Sequence, residues 1–111
     1  MGAVNGTPPP PGFEKTAPAT AEQLELLPKI SLDALALLRP FIEADHIAAI
    51  DYTDAGGHRS TILIRPGYIR SNSANNIVVW GIPTNAEHWE ELRFDRINGV
   101  RDTGDVFKPT W

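Results

Sequence analysis

The chain of 111 residues contains no cysteine, which excludes disulfides, thiol catalysis and thiolate metal sites and makes a cytoplasmic location the expectation. No apolar run approaches the ~18 residues of a membrane span, so the chain reads as soluble. The N-terminus lacks a basic region followed by an apolar stretch, so neither a secretory signal nor a transit peptide is expected. Positive charge is scarce as well: 10 Lys and Arg stand against 14 Asp and Glu, for a net charge of −4. Such a balance argues against coating nucleic acid by bulk electrostatics, which needs a basic surface. Also missing are a phosphate-binding loop, a dinucleotide fingerprint and a serine framed by glycines. No enzyme and no cofactor are expected from this inventory.

What is present fits one small domain. Residues 1–20 hold Thr7-Pro8-Pro9-Pro10-Pro11-Gly12 and little apolar material. That composition predicts a disordered, proline-rich tail, because too little surface is buried to offset the ordering entropy. Residues 21–45 read as a helical segment packed on a sheet. Leu24 and Leu27, then Leu32, Leu35 and Leu38, recur at helical spacing, with Ser31 placed to cap. Pro28 and Pro40 limit the main helix to about residues 32–39, with a further turn from Pro40.

Residues 46–107 alternate as strands. Residues 47–53 and 58–65 form a hairpin around Asp54-Ala55-Gly56-Gly57, and residues 67–71 and 77–82 pair around Asn72-Ser73-Ala74-Asn75-Asn76. Residues 89–95 follow, and Asn98-Gly99 turns the chain into a last strand near 100–103. The fold class is therefore mainly β with an N-terminal helical segment, a small antiparallel barrel of the SH3-like kind. An open sheet packed by a helix is the alternative.

Six of the seven arginines (Arg59, Arg65, Arg70, Arg93, Arg96, Arg101) fall in the second half. Arginine grips phosphates and carboxylates bidentately, so a local anion site is compatible with the acidic total. The same arginines also read as solvated charges paired with Glu87, Glu90, Glu91, Asp95, Asp102 and Asp105. Tyr52, Tyr68, Trp80 and Trp89 supply aromatic faces of the kind that stack bases beside phosphate-binding arginines; in so small a domain the tryptophans also read as core. His46, His58 and His88 lack metal-ligand spacing, and no metal is expected. Asp102-Thr103-Gly104 matches the triplet of aspartic proteases, but its late position and the flanking Arg101 and Asp105 read more simply as a turn.

The most specific stretch is Leu92-Arg93-Phe94-Asp95-Arg96-Ile97, an alternating strand whose end crowds two arginines around an aspartate. With Ile50-Asp51-Tyr52-Thr53-Asp54-Ala55-Gly56-Gly57 and with Pro66 and Ile69, in this order, it makes residues 44–107 resemble the WYL-domain family. The Trp-Tyr-Leu tripeptide is replaced by Ile77-Val78-Val79, and the winged helix is missing. The resemblance implies a Sm-like, SH3-type barrel and the ligand sensing of bacterial transcriptional regulators, with a nucleotide or single-stranded nucleic acid as ligand and a regulator protein as partner. It assigns Arg93 and Arg96 to the anion cluster, bordered by Tyr52 and Tyr68, with Arg70 nearby. The competing class is a protein interaction or oligomerisation module that uses the leucine helix.

Overall fold

The computed structural model describes residue 10 and residues 12–106. Residues 1–9 and 11 of the expected tail, and residue 107 at the end of the expected barrel, lie outside the described residues. Helix α1 (Ala21–Glu25) starts with a capping box: the Thr20 side chain accepts from the Gln23 N–H, and the Gln23 side chain accepts from the Thr20 N–H. Helix α2 (Lys29–Ala44) buries Ser31, Ala34, Leu35, Leu38 and Phe41. That spacing is one face of a helix.

Three sequence expectations change here. The helix runs straight through Pro40 instead of ending at 39. Proline removes a hydrogen bond to the carbonyl four residues back, yet both Ala36 and Pro40 are exposed, where water can serve that carbonyl. Continuing the helix delivers Phe41 to the core. Ser31 is not the cap, a position held by Pro28; it is buried, and its hydroxyl donates to the Phe94 carbonyl at 3.1 Å. Leu32 is exposed rather than part of the packed stripe.

Five strands follow: β1 (His46–Thr53), β2 (Arg59–Ser71), β3 (Ile77–Pro83), β4 (Glu90–Arg93) and β5 (Ile97–Val106). They form an antiparallel sheet of order β4-β3-β2-β1-β5. The β1–β2 turn is fixed by the Asp54 carboxylate, which accepts from the Gly56 and His58 N–H groups, and by Gly57 at φ 84°. Asn98-Gly99 is not a turn but part of β5; the turn into that strand is the 3-10 segment Phe94–Arg96. Burial of both Phe94 and Ile97 drives it. Asp102-Thr103-Gly104 likewise lies inside β5, where the pairing with β1 slips between His46 and Ala48 and Gly104 takes φ 84°. This is a bulge.

The long strand β2 changes partner midway, pairing with β1 up to Ile64 and with β3 from Ile64 onward. The change coincides with a bulge between Pro66 and Tyr68, a place where a strand tolerates proline. Opposite Pro66 stands Gly81, where a Cβ would lie 2.7 Å from the Arg65 carbonyl oxygen and from the Ile64 side chain. Only glycine fits that approach.

β4 and β5 occupy the two edges, and no pairing between them occurs among the described residues, so the sheet is not closed into a barrel. It is nevertheless strongly curled. Flat strands spaced about 4.8 Å would hold the edges roughly 19 Å apart. The 3-10 turn that joins them rises only about 2 Å per residue. Tyr52 on β1 also reaches across the curl, accepting a hydrogen bond from the Arg93 N–H of β4 at 3.0 Å. Inside the curl, Ala48, Ile50, Tyr52, Ile64, Val79, Leu92, Phe94 and Ile97 pack with Leu35, Leu38 and Phe41 of α2.

Arg65, only 2 % exposed, sits at the corner of β2. Its Nη2 and Nε donate to Asp45 Oδ1 at 3.2 and 3.4 Å, and Asp45 caps the end of α2 at φ 56°. The pair fastens helix to sheet.

Candidate anion-binding face

Residues directly opposite one another in a sheet share a face. Register places Arg70 opposite Val78, and Val78 opposite Arg93, so one row crosses β2, β3 and β4 with an arginine at each end. With neighbours about 5 Å apart, the two arginine stems stand about 10 Å apart. The intervening row Ile69, Val79 and Leu92 faces the core, and the next row on the outer face is Tyr68, Trp80 and Glu91. Trp89 tilts against Tyr68 with ring centroids 5.6 Å apart. Two guanidinium groups and a set of aromatic rings are thus arranged on the face turned away from the core.

Each arginine has a different surrounding. Arg93 forms a two-pronged pair with Asp95, Nε to Oδ1 at 3.0 Å and Nη2 to Oδ2 at 2.5 Å. That bonding holds the Asp95 carboxyl below the usual carboxylate range, against its partial burial and with help from the Arg93 and Arg96 charges; it raises Arg93 in turn. Arg96, half-buried on the 3-10 turn, makes no hydrogen bond or ion pair among the described residues. Arg70 Nε donates to Thr16 Oγ1 at 2.9 Å and Nη2 to the Thr16 carbonyl at 3.1 Å, and its guanidinium lies 4.4 Å over the Phe13 ring.

Of the five residues expected at the site, Tyr68, Arg70 and Arg93 share this face, and Arg96 lies at its end beside Asp95. Tyr52 does not. It is 8 % exposed and belongs to the core cluster, and it meets the site through its hydroxyl on the Arg93 backbone. Depressions lie mainly off this face: one of about 400 Å³ is lined by Thr61, Ile62, Leu63, Thr84 and Asn85, and another reaches the face only at Asp95. The latter, of about 150 Å³, is lined by Gln23, Leu26, Leu27, Asn75, Asn76, Ile77 and Asp95, and one of about 220 Å³ by Asp51, Tyr52, Arg59, Ser60 and Thr61. The arginine face is not a cavity: Val78 at the centre of its row is fully buried, Phe13 and Thr16 lie over its Arg70 end, and Arg70 and Arg93 themselves are half-buried.

Sequence reasoning missed Phe13 and Thr16, because residues 12–20 read as tail. In the structure residues 13–17 lie against β2: Phe13–Lys15 makes a 3-10 turn, the Phe13 ring packs 4.7 Å from that of Tyr68, and Ala17 bridges Ser71. The available signal was Phe13 itself, the one aromatic residue before Phe41. Among the described residues, no group of three or more His, Asp or Glu is arranged to hold a metal ion, and no helix is long and apolar enough to cross a membrane.

The class that these elements define is a mainly β domain: a five-stranded antiparallel sheet with a helix on its N-terminal side. No protein-family profile matches the chain, and no curated protein matches it. Among solved structures it is similar to proteasome accessory factor B/C of Arthrobacter aurescens, with a TM-score of 0.64 and 13 % sequence identity over 73 % of this chain. The likeness is one of fold. It spans 12 % of the length of that protein.

Proposed function

We propose that the chain is a non-catalytic recognition module of the WYL type, which takes an anionic ligand, a nucleotide or short single-stranded nucleic acid, on the outer face of the sheet. The observation that carries this reading is the row Arg70, Val78, Arg93, with Tyr68 and Trp89 beside it. Guanidinium groups contact phosphates, and neighbouring rings stack bases whatever their sequence. The motif order noted in the sequence supports the same reading, as does a fold shared with a segment of a larger accessory factor. In this reading the curled sheet is an opened SH3-like, Sm-like barrel, its edges brought together by the Phe94–Arg96 turn. With a net charge of −4 on the chain, attraction for an anion has to come from local arginines such as Arg70 and Arg93.

Titration with mononucleotides and with a decanucleotide of deoxythymidine, followed by amide shifts, tests this. Shifts should concentrate on Tyr68, Arg70, Val78 and Arg93. Shifts that are absent or spread over the whole sheet would sink it.

A second reading has its own observation. Leu26 is 82 % exposed, Ile30 49 % and Leu37 46 %, on the helical side away from the core. These residues favour an interaction module that docks a protein partner or a second copy. Light scattering would then give a mass that rises with concentration, and Leu37→Glu would abolish the rise. Leu35 and Leu38, being buried, are unsuited to that test.

A further inference from the structure

The segment that covers the arginine face presents it with the two groups a nucleotide would bring. Thr16 offers two oxygens to one edge of the Arg70 guanidinium, Oγ1 to Nε at 2.9 Å and the carbonyl to Nη2 at 3.1 Å. A phosphate or carboxylate engages arginine through the same fork. Phe13 supplies a ring, 4.4 Å beneath the guanidinium and 4.7 Å from Tyr68, where a base would stack. We propose that residues 12–17 are a built-in competitor that occupies the ligand face and is displaced when an anion binds. The inference rests on the anion-binding reading given above.

The strap is built to close and to yield. Gly12 at φ 81° and the turn Phe13–Lys15 aim the ring inward, and the Thr16 hydroxyl donates to the Phe13 carbonyl at 2.7 Å, leaving its lone pairs to Arg70. Beyond it, Ala17 and Ser71 exchange backbone hydrogen bonds of 2.9 and 2.7 Å in an isolated bridge. Those are the strap's backbone links to the sheet among the described residues. Its acceptors for Arg70 are neutral, whereas an anion makes charge-assisted bonds roughly twice as strong. A segment held by so few bonds opens locally, without global unfolding. Tethering gives it a high effective concentration, so the face is shut until a competitor of greater strength arrives.

The test measures affinity of the full chain for a labelled decanucleotide of deoxythymidine. Phe13→Ala removes the ring and should tighten binding by about ten-fold if the face is free about a tenth of the time. Thr16→Asp places a carboxylate on Arg70 and should weaken binding, a change of opposite sign that does not depend on loosening anything. Amide exchange at Ala17 and Ser71 should quicken when the oligonucleotide is added to the wild-type chain. Equal affinities across the three proteins, or binding that leaves the Ala17–Ser71 bridge protected, would overturn the competitor and leave the anion site standing. Absence of binding even by Phe13→Ala would remove both.

Discussion

The two faces of the sheet are made to different specifications. The inner face and α2 form one apolar cluster in which Leu38, Ile50, Ile64, Val79 and Phe94 are fully buried. The outer face carries arginines whose donors are met by a carboxylate, a hydroxyl and a carbonyl, nearly all of them partly solvated. Burial of apolar area stabilises in proportion to the area removed from water, while exposed ion pairs contribute little. Most of the stability therefore belongs to the inner face, whereas the outer face, apart from buried Val78 and the Phe13, Tyr68 and Trp89 rings, carries the exchangeable polar contacts.

Leu38→Ala should have the largest effect in breaking that division. A fully buried leucine on the helix leaves a cavity when truncated, costing about 3 kcal/mol. For a domain near this size the melting temperature should fall by more than ~10 °C, and thermal denaturation followed by circular dichroism measures it. An unchanged melting temperature would mean that α2 is not essential to the core. Arg65→Met comes next, at about 2 kcal/mol, the range for losing charged hydrogen bonds at a buried site. It shows whether an arginine near the sheet corner behaves as core. A loss of oligonucleotide affinity without a loss of stability would move Arg65 to the recognition side of the comparison.

Tyr52→Phe keeps the ring in the cluster and deletes the acceptor of the Arg93 N–H. About 1 kcal/mol of stability should go, with affinity unaffected; a selective loss of affinity would restore Tyr52 to the site. The smallest stability effect should come from the Arg93–Asp95 pair, whose side chains are 32 % and 46 % exposed. Arg93→Ala should cost less than ~1 kcal/mol and lower the salt dependence of oligonucleotide affinity by about one phosphate contact. Because Asp95 is held below the ordinary carboxylate range, its contribution is complete above that range and is lost as pH falls through the lowered folded value. Stability should not change through this pair between neutral pH and ~5. Asp95→Asn should flatten only the acid end of a stability-versus-pH curve, and a change at neutral pH larger than that of Arg93→Ala would contradict the pairing.

Features set by local chemistry were legible in the sequence. The Asp54-Ala55-Gly56-Gly57 turn and the Asn72 loop appear where expected, because their side chains bond their own backbone. So does the helical face of Leu35 and Leu38. What failed was decided at a distance. Asn98-Gly99 has turn chemistry, yet pairing with β1 holds it in a strand. Pro40 has the chemistry of a stop, yet Phe41 beyond it is needed in the core. Arg70 and Arg93 were visible as arginines, but their sharing a row depends on a bulge at Pro66, and the partner of Arg70 lies 54 positions earlier in the chain.

The pairing of β1 with β5, Ala48 opposite Asp102, also sets an order of events. The hairpins β1–β2 and β2–β3 close over short loops, but β1 keeps a bare edge until β5 has been made, Ala48 being paired with Asp102. Closing so long a loop is entropically slow, and folds dominated by such pairings take roughly milliseconds to seconds. Stopped-flow refolding should show a main phase in that window, with amide protection on Ala49 toward β5 appearing no earlier than the β2–β3 hairpin. An unpaired strand edge is a template for pairing with another chain, and here it is covered only when β5 arrives.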